Sequence, residues 1–231
     1  MTTYLFPTRP VPALPVNGCA DSYPIHRIFC VGRNYAAHAA EMGTDIDRDS
    51  PIYFTKSGFA YHPGGGEAAY PPGTSAYHHE VELVVAIGKP VFQVSTDDAM
   101  SAVYGYAVGL DMTRRDLQLA ARDAGRPWDT GKDVEQSAII GPMTLAAEFG
   151  AVADQRIALT VNGETRQDGR LTELIWKVDE IIADLSRYYH LEPGDLIMTG
   201  TPSGIGPVER GDTVVGTVEG LSPVEVRFVG E

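Results

Sequence analysis

The segment His78-His79-Glu80-Val81-Glu82, with the apolar run that follows it, constrains the fold more than any other part of the sequence. Residues 80–88 (EVELVVAIG) have the pattern of a β-strand ended by glycine. Because side chains two apart on a strand share a face, Glu80 and Glu82 point to one side. The other face is entirely apolar and consists of Val81, Leu83, Val85 and Ile87. A chain built around such a strand must form a sheet that covers a hydrophobic core.

The two carboxylates of this strand indicate either a metal site or an acidic outer face. Their backbone positions lie roughly 6.6 Å apart, and their repulsion is about 2.5 kcal/mol at an effective dielectric constant of about 20. A divalent cation such as Mg²⁺ or Mn²⁺ turns this repulsion into attraction. On an exposed edge strand, water would screen the same repulsion. The pair alone leaves both interpretations open.

A third carboxylate strengthens the metal interpretation. Asp111 ends the strand-like segment 103–110, and functional residues often lie where a regular element passes into a loop. Three carboxylates with open positions for water suit Mg²⁺. Asp116 competes for the third position, and Asp111 could instead cap a helix. Spacing does not decide between these roles.

A histidine and a carboxylate form a second candidate group. His38 and Glu41 stand three residues apart in a helix predicted over residues 35–42, so they share a face. A carboxylate bonded to one imidazole nitrogen orients the ring and raises the basicity of the other nitrogen, which can then take a proton from water. A surface pair without a chemical role is the alternative.

Several cations lie in or near these motifs. Lys132 belongs to a polar, glycine-containing stretch, residues 123–133, for which we predict a mobile loop that could reach into a site. For each cation, taken alone, a solvated surface charge is the default interpretation. The other candidates are Lys56, Arg33, Arg114 and Arg115.

Composition excludes several classes of protein. The chain has 231 residues, and its 25 glycines and 16 prolines favour a strand-rich fold with many turns. A net charge of −13 disfavours a nucleic-acid partner. We expect no membrane segment, since no apolar stretch of about 18 residues occurs. The two cysteines, Cys19 and Cys30, form no C-x-x-C pair, so we expect reduced thiols in the cytoplasm.

Prolines and glycines also define the organisation of the chain. Four prolines in the first fifteen residues predict an extended N-terminal lead-in over residues 1–26, followed by a single catalytic domain over residues 27–231. The glycines and prolines of residues 58–77 predict a loop or hairpin there. The dipeptide Asn162-Gly163 is typical of a hairpin turn. The glycine-rich stretch 199–206 lacks the ending of a phosphate loop. Its amides could bind a carboxylate or an oxyanion, and a purely structural turn is an equal alternative.

Taken together, six segments in fixed order are similar to the fumarylacetoacetate hydrolase family. The similarity runs from about Arg27 to the C-terminus. The segments are VGRNYAAHAAEMG (31–43), YHHEVELVVAIGK (77–89), YGYAVGLDMTRRDLQ (104–118), GRPWDTGK (125–132), VNGETRQDG (161–169) and LEPGDLIMTGTPSGIGPV (191–208).

The resemblance implies a mixed, β-rich α+β fold, a β-roll with short peripheral helices, in a homodimer. It implies that Mg²⁺ or Mn²⁺ is held by three carboxylates and that His38 and Glu41 activate water. It places Lys132 in the pocket as a third catalytic residue. The implied metal ligands are Glu80, Glu82 and Asp111, and the implied substrate contacts are Arg33, Tyr35, Gln118 and Thr201.

The expected reaction is hydrolysis of a C–C bond in a small keto acid, an acylpyruvate. We expect fumarylpyruvate as the substrate, with fumarate and pyruvate as products. An oxaloacetate decarboxylase or a dienoic-acid isomerase would use the same metal site without attack by water. The chain departs from the family pattern after Lys56, where Ser57-Gly58 follows, and after Lys132, where Asp133-Val134-Glu135 follows. Both departures concern the identity of the substrate more than the reaction class.

Overall fold

Short strands account for most of the regular structure. The computed structural model describes residues 3–43 and 48–230. The strands are β1 (Ala13–Leu14), β2 (Tyr23–Pro24), β3 (Arg27–Gly32), β4 (Ile52–Ser57), β5 (Tyr61–Pro63), β6 (Gly66–Ala69), β7 (Tyr77–His79), β8 (Val81–Ile87), β9 (Val103–Asp111), β10 (Thr113–Arg114), β11 (Ala138–Ile140), β12 (Thr144–Leu145), β13 (Arg156–Val161), β14 (Glu164–Arg170), β15 (Asp195–Met198), β16 (Gly206–Pro207), β17 (Thr213–Val218) and β18 (Val224–Val229).

The helices are short and lie between strands. The α-helices are α1 (Ala36–Glu41), α2 (Thr96–Ala99), α3 (Arg115–Asp123), α4 (Asp129–Lys132), α5 (Ala146–Phe149) and α6 (Val178–Leu185). Single 3₁₀ turns occupy Gly58–Ala60, Met100–Ala102 and Leu171–Glu173. The β-rich α+β class predicted from the sequence is confirmed. Among the residues that the structure describes, no helix has both the length and the apolar character to span a membrane.

Two larger sheets and two small ones organise the described strands. The main sheet has the order β4-β3-β15-β8-β9-β11-β5, with β12 paired to β9, and the second has the order β14-β13-β17-β18-β6. One small sheet, β10-β7-β16, lies next to the start of β8, and the other is the pair β1-β2. Strand β8 therefore lies inside the main sheet, between β15 and β9, and the interpretation of an exposed edge strand is wrong.

Both faces of β8 are buried. Val81, Leu83, Val85 and Ile87 belong to the larger core cluster, as the alternating pattern predicts. Val84 and Ala86, on the opposite face, belong to a second cluster that contains residues from β1, β3 and β15. A carboxylate on that face therefore lies in a water-poor interior unless a cleft reaches it.

The stretch before Arg27 contributes buried residues to the second cluster. Strands β1 and β2 pair with each other, and Leu14 and Ile25 are buried. The Tyr23 hydroxyl donates to the carbonyl of Ile87 at 2.7 Å and accepts from the amide of Gly194 at 2.7 Å. Residues 4–6, in contrast, expose large apolar side chains.

Two local predictions differ from the structure, and one is confirmed. Within residues 58–77, β5 and β6 do not pair with each other; each joins a different sheet, in parallel, with β11 and β18. Residues 123–133 are not a loop throughout, since the last part forms α4. The hairpin turn between β13 and β14 has Asn162 at φ 52° and Gly163 at φ 81°, the left-handed pair typical of such turns.

Candidate active site

Three buried carboxylates meet where β8 and β9 run side by side. Glu80 stands just before β8, Glu82 lies on it, and Asp111 ends β9. The amide of Asp111 donates to the carbonyl of Glu80 at 2.8 Å, which fixes the register of the two strands. One oxygen from each carboxylate lies within 4.8 Å of the others. The strand pairing therefore places Asp111, rather than Asp116, beside the glutamates.

Three buried cations surround this cluster. The ammonium of Lys132 lies 2.6 Å from Glu80 Oε2 and 2.7 Å from Asp111 Oδ2. Lys56 Nζ lies 2.9 Å from Asp111 Oδ1, in an ion pair whose geometry makes no hydrogen bond. Arg115 forms an ion pair with Glu80. Both lysines and the arginine are buried, so these contacts are shielded from solvent.

The buried cations compensate the negative charge of Glu80 but not that of Glu82. Burial alone would raise the pKa of Glu80, but the attraction of Lys132 and Arg115 outweighs it and holds that pKa below its usual value. Burial raises the pKa of Glu82 well above its usual value, and repulsion from Asp111 and Glu80 adds to the rise. Within the described part of the chain, Glu82 has no lysine or arginine as an ion-pair partner.

The cluster fits a divalent cation. It offers three oxygen donors at mutual distances suited to a shared ion, and Asp111 Oδ1 is a buried acceptor without a hydrogen bond. A cation would supply the positive charge that Glu82 lacks. Oxygen-only donors match the preference of Mg²⁺ and Mn²⁺ rather than of soft metals.

The histidine–carboxylate pair stands at the edge of the same cleft. On α1, His38 Nδ1 lies 3.2 Å from Glu41 Oε2. His38 is 5% exposed and lines the cleft, so the interpretation of an exposed surface pair does not hold for it. The amide of Gly204 lies 3.2 and 3.3 Å from the two Glu41 oxygens. Because Glu41 occupies Nδ1, the Nε2 atom of His38 is the nitrogen left for water.

The glycine-rich stretch 199–206 binds carboxylates, but they are those of the protein itself. The Gly200 amide donates to Glu82 Oε2 at 2.7 Å, and the Gly204 amide contacts Glu41. Gly204 has φ 93°, and a Cβ atom there would lie 2.1 Å from the carbonyl oxygen of Arg166. The stretch thus connects a candidate metal ligand to the residue that orients the candidate base.

The three carboxylates and His38 line one cleft of about 380 Å³, open solvent at its mouth included; Glu41, which contacts His38, does not line it. The structure brings most of the predicted site residues to it. Those that line it are His38, Glu80, Glu82, Asp111, Lys132, Arg33, Gln118 and Thr201. The cleft is also lined by Phe54, Trp128 and Arg115. Of these three, only Arg115 is identified from the sequence, as one of several candidate cations.

Tyr35 is the predicted substrate contact that does not line the cleft. Its side chain is 2% exposed and belongs to the larger core cluster. Burial raises the pKa of its hydroxyl, which has no hydrogen-bond partner among the described residues. Tyr35 precedes α1 in extended conformation and forms an isolated β-bridge with Leu174, whereas His38 lies on the helix.

Comparisons with known proteins agree with this arrangement. The profile of the fumarylacetoacetate (FAA) hydrolase C-terminal domain matches residues 27–229. The chain is 56% identical over 188 residues to fumarylpyruvate hydrolase of Ralstonia sp, which covers 80% of this chain and 97% of that protein. It is 38% identical over 206 residues to oxaloacetate tautomerase YcgM of Escherichia coli (strain K12), covering 89% and 94%.

A solved structure has nearly the same fold. It is the crystal structure of fumarylpyruvate hydrolase from Pseudomonas aeruginosa in complex with Mn²⁺ and pyruvate. The TM-score is 0.96 at 46% sequence identity, and the match covers 99% of this chain and 100% of that one. The predicted β-roll architecture is therefore confirmed.

Proposed function

Because the chain belongs to the fumarylacetoacetate hydrolase family and is one of its enzymes, we propose that it hydrolyses fumarylpyruvate to fumarate and pyruvate with a divalent cation. The observation that carries the proposal is a buried three-carboxylate cluster in the same cleft as His38, whose Nδ1 contacts Glu41. The cluster suits a cation, and the pair suits activation of water. Similarity to the Ralstonia and Pseudomonas hydrolases supports the same reaction.

Glu80, Glu82 and Asp111 are the residues that would hold Mg²⁺ or Mn²⁺. When bound, the cation acts as a Lewis acid that stabilises negative charge on an oxygen of the keto acid. The ammonium of Lys132 lies against two of the three carboxylates, so a second positive charge is near the same place. Fixed positive charge in a water-poor cleft stabilises a developing enolate.

His38 and Glu41 provide the proton transfer. Glu41 holds Nδ1, and Nε2 takes a proton from water. The hydroxide so formed attacks the substrate carbonyl that is remote from the pyruvyl carboxylate. The C–C bond then breaks, its electron pair leaves with pyruvate enolate, and the enolate takes up a proton to give pyruvate. The acyl group leaves as fumarate, so water is the only other reactant.

Arg33 favours an acyl group that ends in a carboxylate. Its guanidinium lines the cleft over the ring of Trp128, 5.8 Å from the centroid, and forms no ion pair with any described residue. Its backbone has φ 58°, a strained conformation for a non-glycine residue and one often found at functional sites. Fumarylpyruvate carries a second carboxylate that such an unpaired cation would bind.

We expect Arg33→Met to raise the KM for fumarylpyruvate about tenfold to hundredfold, the equivalent of the ~1.5–3 kcal/mol of a hydrogen bond to a charged group. Acetylpyruvate has an uncharged acyl group, so its KM should not change. Steady-state kinetics with both substrates measure the difference. Arg210→Met is the matched control, because Arg210 is an exposed arginine that lies over an aromatic ring, that of Tyr70, and does not line the cleft. An equal rise for both substrates would show that Arg33 does not contact the distal carboxylate.

The reaction itself is tested by the loss of the enol ultraviolet absorbance of fumarylpyruvate, with Mg²⁺ or Mn²⁺ and again with EDTA. We expect rapid loss that EDTA prevents, with fumarate and pyruvate formed in equal amounts. Absorbance that persists with metal present would contradict the proposal. Oxaloacetate tautomerisation is then the second candidate, because the Escherichia coli relative has that activity in its name. Decarboxylation of oxaloacetate and isomerisation of a dienoic acid would be assayed beside it.

We also propose that the chain works as a homodimer in the cytoplasm. Tyr4, Leu5 and Phe6 expose large apolar side chains that a second copy of the chain would cover. Cys19 and Cys30 are both free, which suits a reducing compartment. Analytical ultracentrifugation of the protein would distinguish a dimer from a monomer.

A further inference from the structure

We infer that Gln167, on β14, is a positioning residue that fixes the direction of the Thr201 hydroxyl and aims its proton at an oxygen of the substrate. The inference rests on the proposed function in one respect, namely that Thr201 contacts the substrate. The hydrogen bonds around Gln167 stand independently of it.

The carboxamide of Gln167 is fully buried and makes four contacts. Its Oε1 accepts from the amide of Val81 at 3.0 Å and lies 3.1 Å from His79 Nδ1. Its Nε2 donates to Thr201 Oγ1 at 2.7 Å and to the carbonyl of Pro202 at 2.8 Å. One side chain therefore joins the strand that carries the glutamates to the loop that carries Thr201.

Two of these contacts fix which end of the carboxamide faces which partner. A backbone amide, such as that of Val81, can only donate, and a backbone carbonyl, such as that of Pro202, can only accept. Turning the carboxamide around would place its NH₂ against the Val81 amide and its oxygen against the Pro202 carbonyl. Both hydrogen bonds would be lost in a buried place, so this orientation is disfavoured.

The contacts with Val81 and Pro202 also determine which group donates in the hydrogen bond between Gln167 and Thr201. Since Nε2 faces Thr201, the hydroxyl oxygen accepts a hydrogen bond and its own proton must point elsewhere. No described residue accepts that proton in a hydrogen bond. Thr201 is 2% exposed and lines the cleft, so the open direction is the cleft.

A buried hydroxyl proton needs an acceptor, and a keto acid supplies one. The carboxylate and the 2-oxo group of a 2-oxo acid are acceptors only, so a hydroxyl locked as a donor is complementary to them. A hydroxyl free to rotate would lose that selectivity. Gln167 therefore acts on the substrate through Thr201 and not by contact.

A double-mutant cycle tests the coupling. We expect Thr201→Val and Gln167→Met each to lower kcat/KM about tenfold, the loss of one well-placed hydrogen bond. The double variant should be no worse than the poorer single variant, because both changes weaken the same hydrogen bond from Thr201 to the substrate. Thr201→Ser keeps a hydroxyl and should lose less than Thr201→Val. Thr165→Val, an exposed residue on the same strand, is the matched control. Losses that multiply in the double variant would overturn the inference.

Two further measurements do not depend on hydrolysis of fumarylpyruvate. The dissociation constant of pyruvate, measured by calorimetry, should show the same non-additive pattern. In the unmutated protein, ¹⁵N NMR should find a proton on His79 Nδ1, because Gln167 Oε1 can only accept. An unprotonated Nδ1 would mean that the carboxamide is turned around, and the inference would be wrong even if the enzyme hydrolyses fumarylpyruvate. If the enzyme does not hydrolyse it but these two results hold, only the proposed reaction fails.

Discussion

Glu82→Gln is expected to abolish measurable turnover and to weaken Mn²⁺ binding by at least about a hundredfold. Glutamine keeps the size of the side chain and can still accept from the Gly200 amide, now 2.7 Å away. It lacks the charge that the cation needs, and hard cations bind carboxylates far better than amides. Without the cation, the Lewis-acid contribution to enolate formation is lost, which is several kcal/mol of transition-state stabilisation.

The same variant separates a binding defect from a folding defect. In the unmutated protein Glu82 is a buried carboxylate with a raised pKa, so its neutral replacement should not destabilise the metal-free protein. Mn²⁺ at about 100 times its dissociation constant should stabilise the unmutated protein by about 2.7 kcal/mol, and the same concentration should stabilise Glu82→Gln by no more than about 0.4 kcal/mol. Calorimetry and thermal melts with and without Mn²⁺ measure both effects. Glu209→Gln, on the exposed surface, is the control. Unchanged Mn²⁺ affinity would place the metal elsewhere.

His38→Ala is expected to lower kcat about 10²–10⁴-fold, the range in which a positioned general base contributes. The three carboxylates and the residues expected to bind substrate stay in place, so Mn²⁺ affinity and KM should change little. Glu41→Gln should have a smaller effect, because an amide can still contact Nδ1 but cannot stabilise the imidazolium. Single-turnover kinetics and Mn²⁺ titrations measure these quantities.

The His38→Ala prediction has a control in a second histidine and two results that would contradict it. His190→Ala changes an exposed histidine that stacks on Phe92 and should leave kcat unaltered. Near-normal turnover in His38→Ala would remove the pair from the mechanism. Loss of Mn²⁺ affinity in His38→Ala would instead mean that the helix supports the metal site and not the proton transfer.

The strand β8 could be predicted from the sequence because its signal is local. Alternation with a period of two residues is visible without any partner strand, and it places two carboxylates on one face. The choice between Asp111 and Asp116 could not be made, because it depends on how β8 pairs with β9. In the structure Asp116 instead accepts from the Thr74 hydroxyl at 2.6 Å and the Ser75 amide at 3.1 Å, which joins the start of α3 to residues 74–75.

The contacts that the sequence did not predict are all long-range. Lys56 meets Asp111 through the packing of separate segments, and Gln167 meets Thr201 through a different sheet. A lysine or glutamine in isolation has the properties of a surface residue, so its burial is determined by the fold rather than by its neighbours in sequence. Tyr35 is the reverse case: it lies in a motif with His38, yet its side chain is buried in the core.

The amides of Gly200 and Gly204 affect which positions of this chain should tolerate substitution. Gly204 has no side chain to transfer a proton or to bind an ion, yet its amide holds Glu41 and its surroundings leave no room for a methyl group. In a screen of all single substitutions for activity, we therefore expect changes at Gly204 to be as damaging as changes at His38. A position of this kind cannot be substituted because of what its backbone does. A list of reactive side chains would therefore miss some of the positions that the screen finds essential.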